Sequence, residues 1–332
     1  MRIPVAQKIN NTNKFYVERV LPDIGSIFVQ KGDKLEPFSR VGETKISHYL
    51  QKIDPQVSLT KSVNSFIAKG VEIGEVKLGS FKKKKYIAPY NGFIRSVGDG
   101  TYLFEQEKQN YTLLSGVWGE VQEVVENKAV LVMAPCTIIY CAVSSPFDTE
   151  GELVVLPNPS ELLEDPYFNN FTKEVAGKII YSGYFIKLEN LKRAIELGVK
   201  GIIAGGCDKV SLDYAKKNNF ALMSISGYGR IPTPVSIYDL FSSVSNRYVF
   251  LRGKSGEIYV PSETPFQDQQ AKSKKDFFVE LKNDMIVQIL ERPYFGWMGV
   301  VESFDEQKIS VRLLNGVEVI TVMPTNLLSL GF

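Results

Sequence analysis

Residues 176–206 read AGKIIYSGYFIKLENLKRAIELGVKGIIAGG, and this stretch decides the fold of the middle of the chain. The apolar run at 178–182 predicts a buried strand, and the apolar residues over 188–197 recur at helical spacing. Gly198 then follows as a typical helix stop. A second apolar run begins at Gly201, so the stretch predicts a strand, a helix and another strand.

The same alternation continues beyond this stretch. It predicts a strand over 201–206, a helix capped by Asp208 and ending at 217, a strand over 220–225 and a helix over 234–241. Strands and helices that alternate at this spacing form a parallel sheet with right-handed crossovers. Polar segments at 146–166 and 263–272 lack apolar periodicity and bound this region. We therefore predict three domains, over residues 1–156, 170–262 and 276–332.

The first domain is predicted to be β-rich because short apolar runs alternate with glycine-containing turns. Two segments, VQKGDKL at 29–35 and IAPYNGFI at 87–94, resemble the hairpin signatures of barrel-sandwich hybrid domains, the fold of biotinyl and lipoyl carriers. This resemblance implies a fold and not an activity. In carriers the modified lysine lies in a turn before the Ala-Pro signature, but the lysine run here lacks the flanking Met or Asp, so a solvated charge run is the alternative.

The third domain contains short strand patterns around RPYFGW at 292–297 and an Asn315-Gly316 pair that is typical of a hairpin turn. With its closing Asn326-Leu327 pair, it resembles the SH3-like barrel of KOW-type domains. The central stretch resembles protease-associated and swivelling β/α domains, which are usually non-catalytic. The order of the modules is similar to a family of uncharacterised bacterial proteins with a C-terminal KOW-like domain, which implies a layout and no activity.

The expected fold class is therefore mixed and predominantly β. A β-rich, barrel-sandwich-like N-terminal domain precedes a small central α/β domain with a parallel sheet and a C-terminal SH3-like barrel.

The chain has 39 Lys and Arg residues against 37 Asp and Glu residues, which excludes a globally basic nucleic-acid binder. This balance is a cancellation. Residues 1–120 carry 18 basic and 12 acidic residues (+6), and residues 176–262 carry 12 and 6 (+6). Residues 121–175 carry 2 and 9 (−7), and residues 276–332 carry 4 and 8 (−4). The basic segments are therefore the surfaces on which an anionic partner is expected.

The loops after the three parallel strands are the candidate ligand site, because ligands gather outside the carboxyl ends of strands in open α/β sheets. Glycines there would let a ligand approach the backbone, and Arg230 suits a carboxylate or phosphate. The alternative is turn glycines with Arg230 in a structural ion pair. The candidate residues are Gly183, Gly205, Gly206, Asp208, Ser226, Gly227, Gly229 and Arg230.

Nucleic acid is a second candidate partner. A negative C-terminal domain should repel phosphates, although Tyr294, Phe295 and Trp297 could stack bases or pack against a protein. The better candidate surface is the lysine run in the basic N-terminal half, formed by Lys82, Lys83, Lys84 and Lys85.

Metal and nucleophilic chemistry are poorly supported. The single histidine, His48, has no evident partner, and no GxSxG, CxxC or HxxxH motif occurs. The three cysteines indicate free thiols in a reducing cytosol. The N-terminus lacks the apolar core of a secretory signal, and no apolar run reaches the length of a membrane span. We expect a cytoplasmic protein with no metal, no cofactor and no membrane insertion.

Three functions remain open. The first is a non-enzymatic multi-domain binding or scaffold protein that joins protein partners in a larger assembly. The second is a transcription or translation accessory factor that binds nucleic acid through the basic N-terminal half. The third is an anion or small-molecule sensor, or even an enzyme, that uses the α/β loops.

Overall fold

The structure is a computed structural model that describes residues 1–47, 49–77, 83–155, 173–231, 233–267, 277–314 and 318–331. Within these ranges the chain forms 29 strands and three α-helices. The prediction of a mixed, predominantly β fold is therefore confirmed. The strands form five sheets, and none of these closes into a barrel within the described residues.

The first five strands span the N-terminal segment. They are β1 (Arg2–Gln7), β2 (Ile9–Val20), β3 (Ser26–Ile27), β4 (Lys34–Leu35) and β5 (Arg40–Ile46). Alternate residues of the second half of β2 are buried, which is the pattern of a strand with one face on a core. That core contains Phe15, Val17, Val41, Val121 and Val132.

The next seven strands form a separate small module. They are β6 (Leu50–Lys52), β7 (Ser58–Leu59), β8 (Phe66–Ile67), β9 (Glu72–Lys77), β10 (Lys83–Ile87), β11 (Gly92–Ser96) and β12 (Tyr102–Gln106). A four-stranded sheet in the order β6-β12-β11-β8 and a three-stranded sheet in the order β10-β9-β7 enclose a core of their own. Ile73, Ile94 and Phe104 are fully buried in this core.

The small module is an insertion into the N-terminal domain. The strands that follow it are β13 (Gln109–Leu114), β14 (Gly119–Val125) and β15 (Ala129–Tyr140). Strand β13 pairs antiparallel with β5, with Gln109 opposite Ile46, so residues 49–107 leave and re-enter at the end of one hairpin. We call residues 49–107 the inserted module.

Because of this insertion, the two predicted hairpin segments, at 29–35 and 87–94, do not belong to one domain. The amide of Gly32 donates to the Val121 carbonyl at 2.8 Å, whereas the amide of Gly70 donates to the Ala88 carbonyl at 2.9 Å. The two segments that together suggested one barrel-sandwich domain therefore lie in different modules. Each module has its own turn of this kind, because IAKGVEI at 67–73 matches VQKGDKL at 29–35. This repeat is the sequence signal that indicates two modules.

The central region has the predicted alternation of strands and helices. Its elements are β16 (Val143–Ser144), β17 (Thr149–Val155), β18 (Ile179–Tyr181), β19 (Phe185–Ile186), α1 (Leu188–Glu196), β20 (Gly201–Cys207), α2 (Lys209–Lys217), β21 (Ala221–Tyr228), α3 (Val235–Ser243), β22 (Tyr248–Arg252) and β23 (Glu257–Pro261). Strands β17, β18, β20 and β21 are parallel neighbours, and β16 and β22 flank them antiparallel.

The boundary predicted between the first two domains is wrong at residues 149–155. These residues form β17, in which Leu153 is buried and pairs with Ile179 of the parallel sheet. The acidic residues of this strand give it the pattern of a polar linker, but Glu150 pairs with Arg19 at 2.5 Å and Glu152 with Lys178 at 3.2 Å. Strand β23 also pairs with β15, so one twelve-stranded sheet joins the two regions.

The C-terminal sheet includes the first strand of the chain. It contains β24 (Phe278–Glu280), β25 (Ile286–Ile289), β26 (Met298–Phe304), β27 (Ile309–Leu313), β28 (Val319–Val322) and β29 (Leu327–Gly331). Strand β1 inserts between β24 and β29 and buries Ile3 in the core of this sheet. The predicted limits of 276–332 therefore omit a strand that is distant in sequence. The Asn315-Gly316 turn lies outside the described residues.

Candidate binding surfaces

The carboxyl end of the parallel sheet, where a ligand was predicted, is filled by the chain itself. Gly205 and Gly206, which end the predicted strand and were expected to face a ligand at the loop that follows it, are buried residues of β20. Their amides donate to the carbonyls of Gly183 and Tyr184 at 2.9 and 2.6 Å. The Gly229 amide likewise donates to the Cys207 carbonyl at 2.9 Å. These three amides are therefore engaged within the chain.

The glycines are required by the close approach of two chain segments. A Cβ atom on Gly206 would overlap the Gly229 carbonyl oxygen, and one on Gly205 would lie 2.5 Å from the Ile231 carbonyl oxygen. Gly229 has a φ of 106°, which favours glycine as the chain turns back over β20. This segment occupies the crevice that an open α/β sheet offers to a ligand. The geometry therefore supports the alternative, in which these glycines have a structural role, better than it supports a ligand site.

The other loop residues also have partners in the chain. The Asp208 carboxylate caps α2 by accepting from the Ser211 amide at 2.7 Å, so a negative charge already occupies this helix start. Ser226 and Gly227 lie in β21, not in a loop. Arg230 is exposed, and its guanidinium lies 5.7 Å from the Phe185 ring centre. It forms no ion pair with another residue of the described ranges, in contrast to the expected structural ion pair.

The segment that closes the sheet also contacts the C-terminal sheet. Ile231 is buried, and its side chain packs directly on Gly296. A Cβ atom added at Gly296 would overlap this side chain, at 2.8 Å from its Cδ1 atom. Gly296 belongs to the RPYFGW turn, in which Tyr294 and Trp297 pack edge to face with ring centres 5.8 Å apart. The Tyr294 hydroxyl donates to the Glu318 carboxylate, and this hydrogen bond raises the pKa of Tyr294. Two of the three predicted stacking aromatics are thus partly engaged, and Phe295 remains exposed.

The lysine run carries less free charge than the sequence suggests. Lys83 pairs with Glu75 at 2.6 Å and Lys85 with Glu72 at 2.7 Å across β9 and β10. The Glu72 carboxylate raises the pKa of Lys85 by accepting its hydrogen bond. Lys84 forms no ion pair within the described ranges, and Lys82 lies outside them. The paired carboxylates reduce the attraction for phosphate on which this candidate surface depends.

The outer face of the inserted module is open. Register places Leu50, Glu105, Phe93 and Phe66 side by side across β6, β12, β11 and β8. Leu50 and Phe66 are 62% and 54% exposed, although Ile67, Ile94 and Phe104 on the opposite face are buried. The sequence interpretation missed this row because alternation in two- and three-residue strands is too short to detect.

Charged side chains border this row. The Arg95 guanidinium lies 4.9 Å from the Phe93 ring centre and pairs with Glu105 at 2.8 Å. The Phe93 and Phe66 rings meet edge to face at 5.7 Å. Lys52 is exposed in the neighbouring row, opposite Leu103. We call the surface formed by Leu50, Lys52, Phe66, Phe93 and Arg95 the aromatic face.

The thiols and the histidine add no reactive centre to the parts of the chain that the structure describes. Cys136 and Cys207 are buried, and desolvation raises the pKa of Cys207 to about 11. His48 lies outside the described ranges. No cluster of three metal-ligating side chains occurs in the described ranges.

One buried cation was not anticipated. Lys8 is 9% exposed, and its ammonium donates to the Ile225 carbonyl at 2.9 Å. Burial lowers the pKa of Lys8. The contact joins the strand connection after β1 to the middle of β21, and therefore links the N-terminal segment to the α/β region.

Comparison with known proteins adds no assignment, because no protein-family model matches the chain and no curated protein matches it significantly. Across the described residues, the helices are too short and polar to cross a bilayer.

Proposed function

We propose that this chain is a non-enzymatic, multi-domain binding protein that docks a polypeptide partner on the aromatic face of the inserted module. The observation that carries the proposal is the placement of three apolar side chains, Leu50, Phe93 and Phe66, in one cross-strand row with Glu105. Leu50 and Phe66 are exposed and Phe93 is half-buried, on a sheet whose other face is a closed core. Side chains of this kind are usually buried, so a row of them on one face marks an interaction site. The cytoplasmic location expected from the sequence belongs to this proposal.

The aromatic face has the composition of a protein-binding hot spot. Aromatic and arginine side chains dominate the binding energy of protein interfaces, particularly where they lie together and can be desolvated. Here Phe93 and Arg95 already pack against each other in the free protein. Their geometry is therefore fixed before binding, which reduces the entropy lost on association.

Charge defines the partner. The inserted module carries 9 basic and 6 acidic residues over 49–107, a net charge of +3. On the aromatic face, Lys52 and Arg95 outnumber Glu105 by two to one. A polypeptide segment with apolar side chains next to an acidic residue complements this surface. Glu105 lies inside the row, between Leu50 and Phe93, and would repel a phosphate backbone, so a protein partner is favoured over nucleic acid on this face.

Affinity purification of the full chain from its native cells tests the proposal. We expect the wild type to recover a partner that the double variant Phe66→Ala/Phe93→Ala loses. The matched control is Phe28→Ala/Phe38→Ala, because these rings are 49% and 68% exposed and the Arg40 guanidinium lies 5.6 Å from the Phe28 ring centre. A photo-crosslinking residue at position 66, but not at position 38, should couple to the same partner.

The partner, once purified, gives a quantitative test of the charge argument. Lys52→Glu should raise the Kd for the partner roughly tenfold. Lys61→Glu, at an exposed position of the same module outside the sheet, should leave the Kd unchanged. Recovery of the chain alone at native concentration would contradict the proposal. Equal recovery of the partner by Phe66→Ala/Phe93→Ala and the wild type would contradict it as well.

A further inference from the structure

An open groove of about 510 Å³ lies between β2 and the hairpin formed by β22 and β23. This volume falls within the range of sites that bind small organic ligands, roughly 300–1,000 Å³. The groove is distant in sequence from the aromatic face and from the loops of the parallel sheet.

The floor of the groove is aromatic and apolar. Phe15 and Ile138 are buried beneath it, and the Tyr259 ring stacks on Phe15 with ring centres 4.2 Å apart. Tyr16 also lines the groove and is 51% exposed. A planar group could stack there as bases stack on aromatic side chains.

Three cations surround this floor. Lys14 comes from the basic segment 1–120, and Arg252 and Lys254 come from the basic segment 176–262, so the fold brings the two positive segments together at the groove. None of the three forms an ion pair in the part of the chain that the structure describes. The Arg252 guanidinium lies 5.7 Å from the Phe250 ring centre, which holds it in place. Such a set suits a phosphate group.

Two carboxylates complete the groove. Glu257 accepts hydrogen bonds from the Tyr259 and Ser255 hydroxyls at 2.8 and 2.7 Å, and Asp148 is exposed. These acceptors suit a ligand that carries hydroxyl or amino donors in addition to its phosphate. The groove thus offers a ring to stack on, cations for an anion and acceptors for neutral donors.

We propose that this groove binds a nucleoside phosphate. The phosphate lies against Lys14, Arg252 and Lys254, the base stacks on Tyr16, and sugar hydroxyls donate to Asp148 or Glu257. A free nucleotide and one unit of a single-stranded nucleic acid share this chemistry. The proposal is independent of the partner on the aromatic face.

Calorimetric titration of the full chain at low salt tests the site. The probes are the four ribonucleoside 5′-monophosphates, inorganic phosphate and a ten-nucleotide single-stranded RNA. We expect at least one nucleotide to bind at least roughly tenfold more tightly than inorganic phosphate, since stacking and hydroxyl contacts add to the charge. Equal affinity for nucleotide and RNA indicates a free nucleotide as the ligand, whereas tighter RNA binding indicates a strand.

Two variants with matched controls assign the binding to this groove. Lys14→Glu/Lys254→Glu should weaken nucleotide binding by more than roughly tenfold, whereas Lys216→Glu/Lys217→Glu, an equally exposed pair on α2, should not. Tyr16→Ala should weaken it by roughly tenfold, Tyr16→Phe should retain it, and Tyr228→Ala, whose ring is 50% exposed elsewhere, should leave it unchanged.

The proposal fails if neither the nucleotides nor the RNA bind at millimolar concentration. It also fails if inorganic phosphate binds as tightly as every nucleotide, or if the control variants weaken binding as much as the groove variants. All substituted side chains are exposed, and matching unfolding midpoints will confirm that each variant is folded.

Discussion

The carboxyl end of the parallel sheet and the aromatic face of the inserted module differ in what covers them. The first carries the glycines and polar residues that usually indicate a ligand, yet Gly229 and Ile231 pack onto it from the same chain. The second carries apolar residues that usually indicate a core, yet Leu50 and Phe66 are exposed. Residue type alone therefore did not indicate which of the two surfaces is covered, because it does not show which segment folds over which.

The largest expected effect follows from the closed end of the sheet. Gly206→Ala should lower the free energy of unfolding by at least about 3 kcal/mol, because the added methyl group overlaps the Gly229 carbonyl oxygen. Gly229→Ala is the comparison, since its methyl group would point into open space and only its φ of 106° is unfavourable, at about 1–2 kcal/mol. Urea denaturation measures both. Equal losses would show that the two segments are not tightly packed.

Cys207, the last residue of β20, reports on the same closure. Desolvation raises its pKa from 9.0 to about 11, so its thiolate fraction at pH 8 is about a hundredfold lower than that of an ordinary thiol. Iodoacetamide should therefore label Cys207 at least about a hundredfold more slowly than glutathione at that pH. Peptide mass spectrometry gives the rate, and Gly206→Ala should increase it. Labelling of the wild type at the rate of glutathione would show that the sheet end is open.

Substitutions of Asp208 test whether its carboxylate acts as a helix cap. Asp208→Ala should cost about 1 kcal/mol of unfolding free energy, because it removes the acceptor for the Ser211 amide at the start of α2. Asp208→Asn keeps an acceptor and should be nearly neutral. Asp213→Ala, on the exposed side of the same helix, is the matched control. A loss as large for Asn as for Ala would assign the effect to the charge and not to the cap.

The local elements of the α/β region were predictable because their signals are local. The strand and helix patterns over 178–228 reappear in the structure with ends shifted by no more than three residues, and Asp208 caps the predicted helix. Each signal depends on apolar spacing or on a cap within a few residues. The largest difference is at β21, which was predicted to end at residue 225 and continues to Tyr228, where it still pairs with β20.

The long-range pairings were not predictable from the same signals. Strand β1 pairs with β24 and β29 at the opposite end of the chain, and no local pattern in Arg2–Gln7 specifies that partner. Strand β17 was hidden by Glu150 and Glu152, whose charges are compensated only after Arg19 and Lys178 are brought beside them. The groove likewise combines Lys14 with Arg252 and Lys254 across more than two hundred residues. Among these non-local features of the fold, only the division into two modules had a signal in the sequence, the repeated turn at Gly32 and Gly70.

The smallest expected effect on stability is at the aromatic face, the open surface that was compared with the closed end of the parallel sheet. Phe66→Ala should change the free energy of unfolding by no more than about 0.5 kcal/mol, because the ring is exposed and little buried area is lost. Phe38→Ala, at 68% exposure, should behave alike. Urea denaturation of the two variants checks this. A loss above about 2 kcal/mol at Phe66 alone would make the ring part of the core of the inserted module. A neutral result would leave partner binding as the property that depends on this ring, in contrast to the glycines of β20, whose substitution affects folding.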